Sequence, residues 1–388
     1  MNILKSFTSF ANNFYCNMLE KCPEKLENTF FSPFNIYTAL GMVLSGCEKN
    51  TKVEMEKAMQ LCGSLNYTET HDSIRDLLER CSQAEVGVEM ILGNKLFTTV
   101  CAGVKEDFKQ NLAEYYSAET EHVPFETDPE VCRKRINQWV SEKTKGKIEE
   151  LLPFGSVARD TSIVVTATTY FKGEWESAFP EFKSHDSDFH KLDGSKMTVK
   201  LMFTESSFNI ITLPHLNSRA VRIPFKDSMF TLLVILPDAN DGLPNLLRLL
   251  SKGNTLSSII SSNNFEETKL ELYLPRFKLK EGSSVSVKKI LQGMGINDAF
   301  CPSSADFTRI SESCRLCVSD VLHKAILEVD EKGAVAAAGT AIQISVMSIA
   351  VPIKHVPIFR VDHPFFISIV WNNSVPLFMG HITEPKED

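Results

Sequence analysis

No stretch of this sequence is long and apolar enough to cross a bilayer. The longest apolar run, Met229 to Leu236, falls far short of the roughly 20 residues that a spanning helix needs. No cleaved secretory signal is visible. Leu4, Phe7, Phe10, Ala11, Phe14 and Met18 recur at helical spacing with polar residues between them, which reads as an amphipathic helix of the mature domain. No Pro/Gly/Ser-rich linker and no internal repeat interrupts residues 1–388, so a single domain is expected. Positive charge is not in excess. Lys and Arg number 41 against 49 Asp and Glu, a formal net charge of -8, which argues against a nucleic-acid binder. The one basic run, Arg133-Lys134-Arg135, is short and reads as a solvated helix face rather than a heparin or phosphate site.

Catalytic motifs are missing as well. There is no Gly-x-Ser-x-Gly elbow, no His-Glu-x-x-His pair and no phosphate-binding glycine loop. Ser32 and His323 could suggest a catalytic couple. Ser32, however, reads as a helix cap before Pro33, and His323 begins a strand. No enzyme activity and no cofactor are therefore expected. The ten cysteines are Cys16, Cys22, Cys47, Cys62, Cys81, Cys101, Cys132, Cys301, Cys314 and Cys317, and they form no disulfide framework. Free thiols without a signal point to a reducing, cytoplasmic home. The sequons at Asn66 and Asn372 are compatible with secretion, which leaves export without a cleaved signal open. Cys314, Cys317, Cys301 and His323 could suggest zinc. Residues three apart on a strand diverge, and Arg315 to Val321 reads as a strand, so buried structural thiols are the better reading.

What is present is a globular composition, 43% hydrophobic and 23% charged. Helix and strand patterns mix along the chain. The apolar spacing of Ile36, Leu40, Val43 and Leu44 continues a helix from Ser32-Pro33 to a stop at Gly46. Thr51 to Glu54 reads as a capping box opening another helix. Strands are read at residues 89–97, 161–171, 220–225, 230–236, 270–274 and 365–371, with turns at 238–242 and 372–373.

One stretch fits neither pattern: Glu331, Lys332, Gly333, Ala334, Val335, Ala336, Ala337, Ala338 and Gly339. It follows a strand-like segment, residues 326–330, and precedes a loop from Thr340 to Ile358. Ala and Gly are poor strand residues. Small side chains nevertheless let a strand slide between two others, so this segment reads as a loop able to become a buried strand. Side chains alternate along a strand. One face would carry Ala334, Ala336, Ala338, Thr340, Ile342 and Ile344, small at first and then apolar.

Glu331 to Gly339 resembles the mobile hinge of the serpins, and Phe359-Arg-Val-Asp-His-Pro-Phe resembles their segment after the reactive loop. Further matches are residues 28–46, Gly93 to Phe97, Ile136 to Val140, Lys172 to Glu176, Leu291 to Phe300 and Pro376 to Gly380. Their shared order covers about 28–380. The resemblance implies an α+β mixed serpin fold of about three β-sheets and eight or nine helices. A reactive loop, about 331–358, would stand exposed above the large central sheet. It also implies inhibition of a serine protease by a suicide-substrate route: loop cleavage, acyl-enzyme trapping and insertion of the hinge as a new strand.

Roles carry over residue by residue. Glu331 matches the loop-base anchor, Arg276 the basic residue that pairs with it, and Trp175 the aromatic beneath the loop. Ser32 and His323 match a polar gate cluster under the central strands. Asn35 and Ala167 depart from that cluster together, and Asn35 is expected to hydrogen-bond across to His323. Counting from Glu331, the family's cut falls after Met347, before Ser348. That site suits an elastase-like or chymotrypsin-like enzyme. Lys354-His355 in the lengthened second half of the loop is an alternative, trypsin-like site. A monomer without nucleic-acid or membrane partners is expected. The rival readings are a non-inhibitory serpin, with a binding or chaperone-like role, and cross-class inhibition of a cysteine protease.

Overall fold

The computed structural model describes residues 3–21, 26–61, 66–83, 85–279, 287–331 and 356–387. Among them lie nine α-helices: α1 (Ile3–Lys21), α2 (Pro33–Leu44), α3 (Lys49–Ala58), α4 (Tyr67–Ser82), α5 (Glu106–Tyr116), α6 (Pro129–Lys143), α7 (Leu243–Leu250), α8 (Thr255–Ile260) and α9 (Val287–Gly293). The first strands are β1 (Thr29–Phe31), β2 (Val88–Thr99), β3 (Glu119–Val123), β4 (Ile163–Gly173), β5 (His185–His190), β6 (Lys196–Leu213) and β7 (Ser218–Pro224). The rest are β8 (Phe230–Pro237), β9 (Glu266–Pro275), β10 (Phe277–Leu279), β11 (Val318–Val329), β12 (Ile358–Arg360), β13 (Phe365–Trp371) and β14 (Val375–Ile382).

The strands form two hydrogen-bonded networks among the described residues. The smaller runs β10-β11-β4-β2-β3. The larger has nine strands in the order β1-β14-β13-β8-β7-β6-β9-β12, with β5 on β6. The expected three sheets merge into two because β6, 18 residues long, pairs in turn with β5, β9 and β7. The hinge leaves β11, so it departs from the five-stranded sheet and not from the largest one.

Alternation explains how the small sheet is packed. On β4, Ile163, Val165, Ala167 and Phe171 face the main core, while Val164 and Tyr170 face a second layer. Phe171 meets Phe225, Phe230 and Phe378 with ring centroids 5.1, 5.6 and 5.5 Å away, joining the two sheets. α2 lies between the sheets, against β14 and β4, with all twelve residues buried. A mostly apolar helix buried on every side belongs in such a place. On the outer face, α6 packs Ile136 and Trp139 against Phe97.

The cap at Ser32 forms as read: its side chain accepts from the Asn35 N–H and Pro33 opens the helix. The capping box at Thr51 does not form. α3 begins two residues earlier, and Thr51 and Glu54 instead accept backbone N–H groups of Asp306, Asn297 and Asp298. A capping box lies at Asn66 and Glu69, sharing its Asn with one of the sequons.

Candidate functional site

β11 ends at Val329, and three contacts seize the chain just beyond it. The Trp175 indole N–H donates to the Asp330 carbonyl at 2.7 Å. The Phe179 N–H donates to the Glu331 carbonyl at 3.1 Å. Glu331 is 4% exposed, and its carboxylate lies 3.5 Å from Arg276 Nη1. Trp175 is itself fixed, stacked on Phe225 with centroids 4.7 Å apart and planes 14° from parallel. Arg276 turns its other nitrogen to Glu387. Hydrogen bonding to Glu387 first, and the charge of Glu331 after it, raise the guanidinium pKa above its ordinary value. Nothing in the sequence singles out Glu387 or Phe179. Glu387 is distant in the chain, and Phe179 acts through its backbone.

Gly333, Ala334, Val335, Ala336, Ala337, Ala338, Gly339, Met347, Ser348, Lys354 and His355 lie outside the described residues. The chain resumes at Val356. β12 then pairs parallel with β9, and Arg219 donates to the Ile358 carbonyl at 3.2 Å.

Beneath the loop root runs a seam. β4 and β11 pair directly and in parallel, from Ile163 with Val318 to Phe171 with Leu327. A chain that reversed just after β11 would run antiparallel to both strands. On the outer face, Tyr170 of β4 and Ile326 of β11 share a small cluster with Val140 of α6, so the helix bridges the seam.

The gate residues meet at mid-seam. His323 of β11 stands opposite Ala167 of β4. Its Nε2 accepts the Ser32 N–H at 2.9 Å, which leaves Nδ1 to donate to the Ala167 carbonyl at 2.6 Å. Both ring nitrogens are thus satisfied in the neutral form. Burial lowers the pKa to about 4, against the pull of the Ala167 carbonyl. The expected bond from Asn35 to His323 does not form, because that ring has no nitrogen left. The Asn35 amide instead donates to the Thr168 carbonyl at 2.9 Å, and its Oδ1 is buried without a partner. Ser32 is no nucleophile aimed at His323. Its hydroxyl donates to Leu377 O at 2.7 Å, and the imidazole meets its backbone N–H.

Two other expectations need correcting. Cys317 is buried, but Cys301 and Cys314 are only half-buried. The strand begins at Val318, so Cys314 lies in the loop before it. The basic run is not simply solvated: Arg135 grips Glu121 through two nitrogens at 2.6 and 2.9 Å, and Arg133 bonds Glu130 and the Leu152 carbonyl.

The family described as Serpin (serine protease inhibitor) matches residues 5–385. Human Serpin B4 is 33% identical over 376 residues, covering 93% of this chain and 94% of its own. The leukocyte elastase inhibitor of Xenopus laevis is 32% identical over 387 residues, covering 98% of this chain and 100% of its own. Among solved structures, uncleaved ovalbumin superposes with a TM-score of 0.87 at 26% identity, covering 99% of this chain and 100% of that one. Human thyroxine-binding globulin superposes with a TM-score of 0.85 at 23% identity, a likeness of fold. With a matched profile from residue 5 to residue 385, and a parallel seam lying directly under the root of its loop, this chain belongs to the serpin family.

Proposed function

We propose that this chain inhibits a serine protease as a suicide substrate, not as a catalyst, and acts in the cytoplasm. The observation that carries the reading is the parallel β4–β11 seam ending at a clamped, buried Glu331. The protease attacks the loop and forms an acyl-enzyme. Cleavage frees the arm that starts at Gly333. The arm reverses and enters the seam antiparallel to both neighbours, with Ala334, Ala336 and Ala338 facing inward. Small inward residues favour entry; a charge or a Pro there would oppose it.

The energetics favour insertion. Of order ten ladder bonds form, each worth roughly 1 kcal/mol net. Burying Ile342 and Ile344 adds roughly 2 kcal/mol each. The uncut fold is therefore held by a kinetic barrier. The reactive bond is Met347–Ser348, which suits an elastase-like or chymotrypsin-like target. The name of one relative, leukocyte elastase inhibitor, supports that class.

The test is incubation with a panel of elastase-, chymotrypsin- and trypsin-like enzymes, read on denaturing gels. A denaturant-resistant adduct is expected, with a released C-terminal peptide whose mass begins at Ser348. A peptide beginning at His355 would move the site to Lys354. Clean cleavage of the loop by every enzyme, with no adduct, would replace this reading by a non-inhibitory one.

A further inference from the structure

Outside the loop root and the gate, the described thiols divide sharply. Cys16 faces the Ser251 carbonyl, Cys47 is buried beside Met55, and Cys301 lies beside Ser303. One pair differs. The sulfurs of Cys101 and Cys314 lie 3.1 Å apart, although the residues are 213 positions apart in sequence. Cys101 is exposed and Cys314 half-buried, so a small oxidant reaches the pair.

The backbones around this pair are already fastened. The Lys105 N–H donates to the Ile310 carbonyl at 2.9 Å. Lys105 also pairs with Glu312. Gly103 has φ +52, and a Cβ there would lie 2.7 Å from Ser313 Oγ, so the two segments touch. Drawing the sulfurs together by roughly 1 Å gives a disulfide of ordinary length.

The position of the pair gives this bond a consequence. Cys101 follows β2 and Cys314 precedes β11. β2 is hydrogen-bonded to β4, and β4 pairs with β11 across the seam. Thr98 of β2 stands beside Ile163, which stands beside Val318 of β11. The two thiols therefore sit at the foot of the seam, one from each side of it. Admitting a strand there would drive β4 and β2 away from β11 by about 4.8 Å, one strand spacing. A disulfide tolerates Cα separations only up to about 6.8 Å.

We propose that Cys101 and Cys314 are a peroxide-oxidised disulfide site that ties β2 to β11 and locks the foot of the seam. The chemistry balances. The Cys101 thiolate attacks one peroxide oxygen, the O–O bond breaks, and the departing hydroxide takes up the thiol proton as water. The Cys314 sulfur then attacks the sulfenic sulfur. The S–S bond forms, the S–O bond breaks, and the second hydroxide leaves as water with the Cys314 proton. Two thiols are oxidised to one disulfide, and one peroxide is reduced to two waters. A dithiol reverses the bond. The effect of the lock on protease trapping rests on the inhibitory reading above; the bond and the stiffened seam do not.

The experiment treats the full chain with hydrogen peroxide. Denatured thiol titration should fall from ten to eight. Tryptic mapping should join residues 96–105 to 310–315, and neither Cys101→Ser nor Cys314→Ser should yield that linked peptide. Hydrogen exchange at the β4–β11 ladder should slow in the oxidised form and recover with dithiothreitol. The oxidised chain should be cleaved by a protease that the reduced chain traps. Thiols oxidised singly, or a different linked pair, would overturn the site. A formed bond with unchanged exchange and undiminished trapping would overturn the lock. A reduced chain that traps nothing would remove the inhibitory reading, while the peptide map and exchange still decide the disulfide and its hold on the seam.

Discussion

Replacing Arg276 by Ala tests whether its contact with Glu331 belongs to the uncut fold alone. In water, unit charges 3.5 Å apart interact by about 1 kcal/mol, and at an effective dielectric constant near 20 by about 5 kcal/mol. The Glu331 side chain is 5% exposed, which argues for the upper end. The Arg276 side chain is 36% exposed and shared with Glu387, which screens and divides the interaction. A net loss of about 2 kcal/mol follows, because the variant leaves a buried carboxylate without its cation. With about 2.1 cal/mol/K of unfolding entropy per residue, that is a fall in melting temperature of about 2–3 °C. The same variant is then cut in its loop and melted again. If the arm leaves the root on insertion, Glu331 no longer needs Arg276, and the cut form loses almost nothing. Glu331→Gln, which keeps the shape and removes the charge, should make Arg276→Ala nearly silent in the uncut protein. Equal losses in the cut and uncut forms would refute the reasoning, since the pair would then persist through cleavage.

Three further outcomes are expected. Ala336→Glu puts a charge on the inward face of the arm, so loop cleavage should persist while the denaturant-resistant adduct disappears; an undiminished adduct would show that the arm does not enter in this register. Gly380→Ala would set a Cβ 1.9 Å from the Thr29 carbonyl, breaking β1 from β14 at a cost of about 3 kcal/mol or more; a native urea midpoint would contradict it. Burial lowers His71 to about 3, and His323 and His381 to about 4. The unfolded chain, titrating near 6.5, takes up these protons first, so stability is full above about pH 6.5 and falls as pH drops toward 4, by about 2–3 kcal/mol for each group. Urea midpoints measured at pH 7 and 4.5 check this, and a flat profile would contradict it.

Local chemistry was legible in the sequence, and so was much of the loop root. Ser32-Pro33 announced a helix because a hydroxyl cap and a fixed φ act within one turn. Asn372 and Asn373, both near φ +47, announced the β13–β14 hairpin for the same reason. Arg276 and Glu331 could be matched because charge survives as a pattern. What failed depended on competition between partners. The Asn35 amide finds the Thr168 carbonyl, and spacing cannot say that His323 is already occupied by Ser32 and Ala167. Thr51 and Glu54 have the right spacing for a box, but N–H groups some 240 residues away claim them first. The merging of sheets through β6 was also hidden, because a long alternating strand does not reveal how many partners it takes in turn.

The seam ties these results together. Parallel ladders are slightly weaker per residue than antiparallel ones, and here one parallel ladder would be exchanged for two antiparallel ones. On the proposed function, that exchange would favour the inserted state, and the uncut state would be held by whatever has to break first. Three interactions on the seam have that character. The Nδ1 proton of His323 reaches across it to the carbonyl of Ala167. Tyr170 and Ile326 meet Val140 of α6 over its outer face, so parting the strands as proposed would break this cluster. The indole of Trp175 holds the Asp330 carbonyl at the top, where an arm would start. None is strong alone, since a single hydrogen bond contributes only about 1 kcal/mol net. Placed along one line of separation, they would have to yield together if an arm entered as proposed, and a barrier of that kind would control a rate while leaving the equilibrium to the ladders.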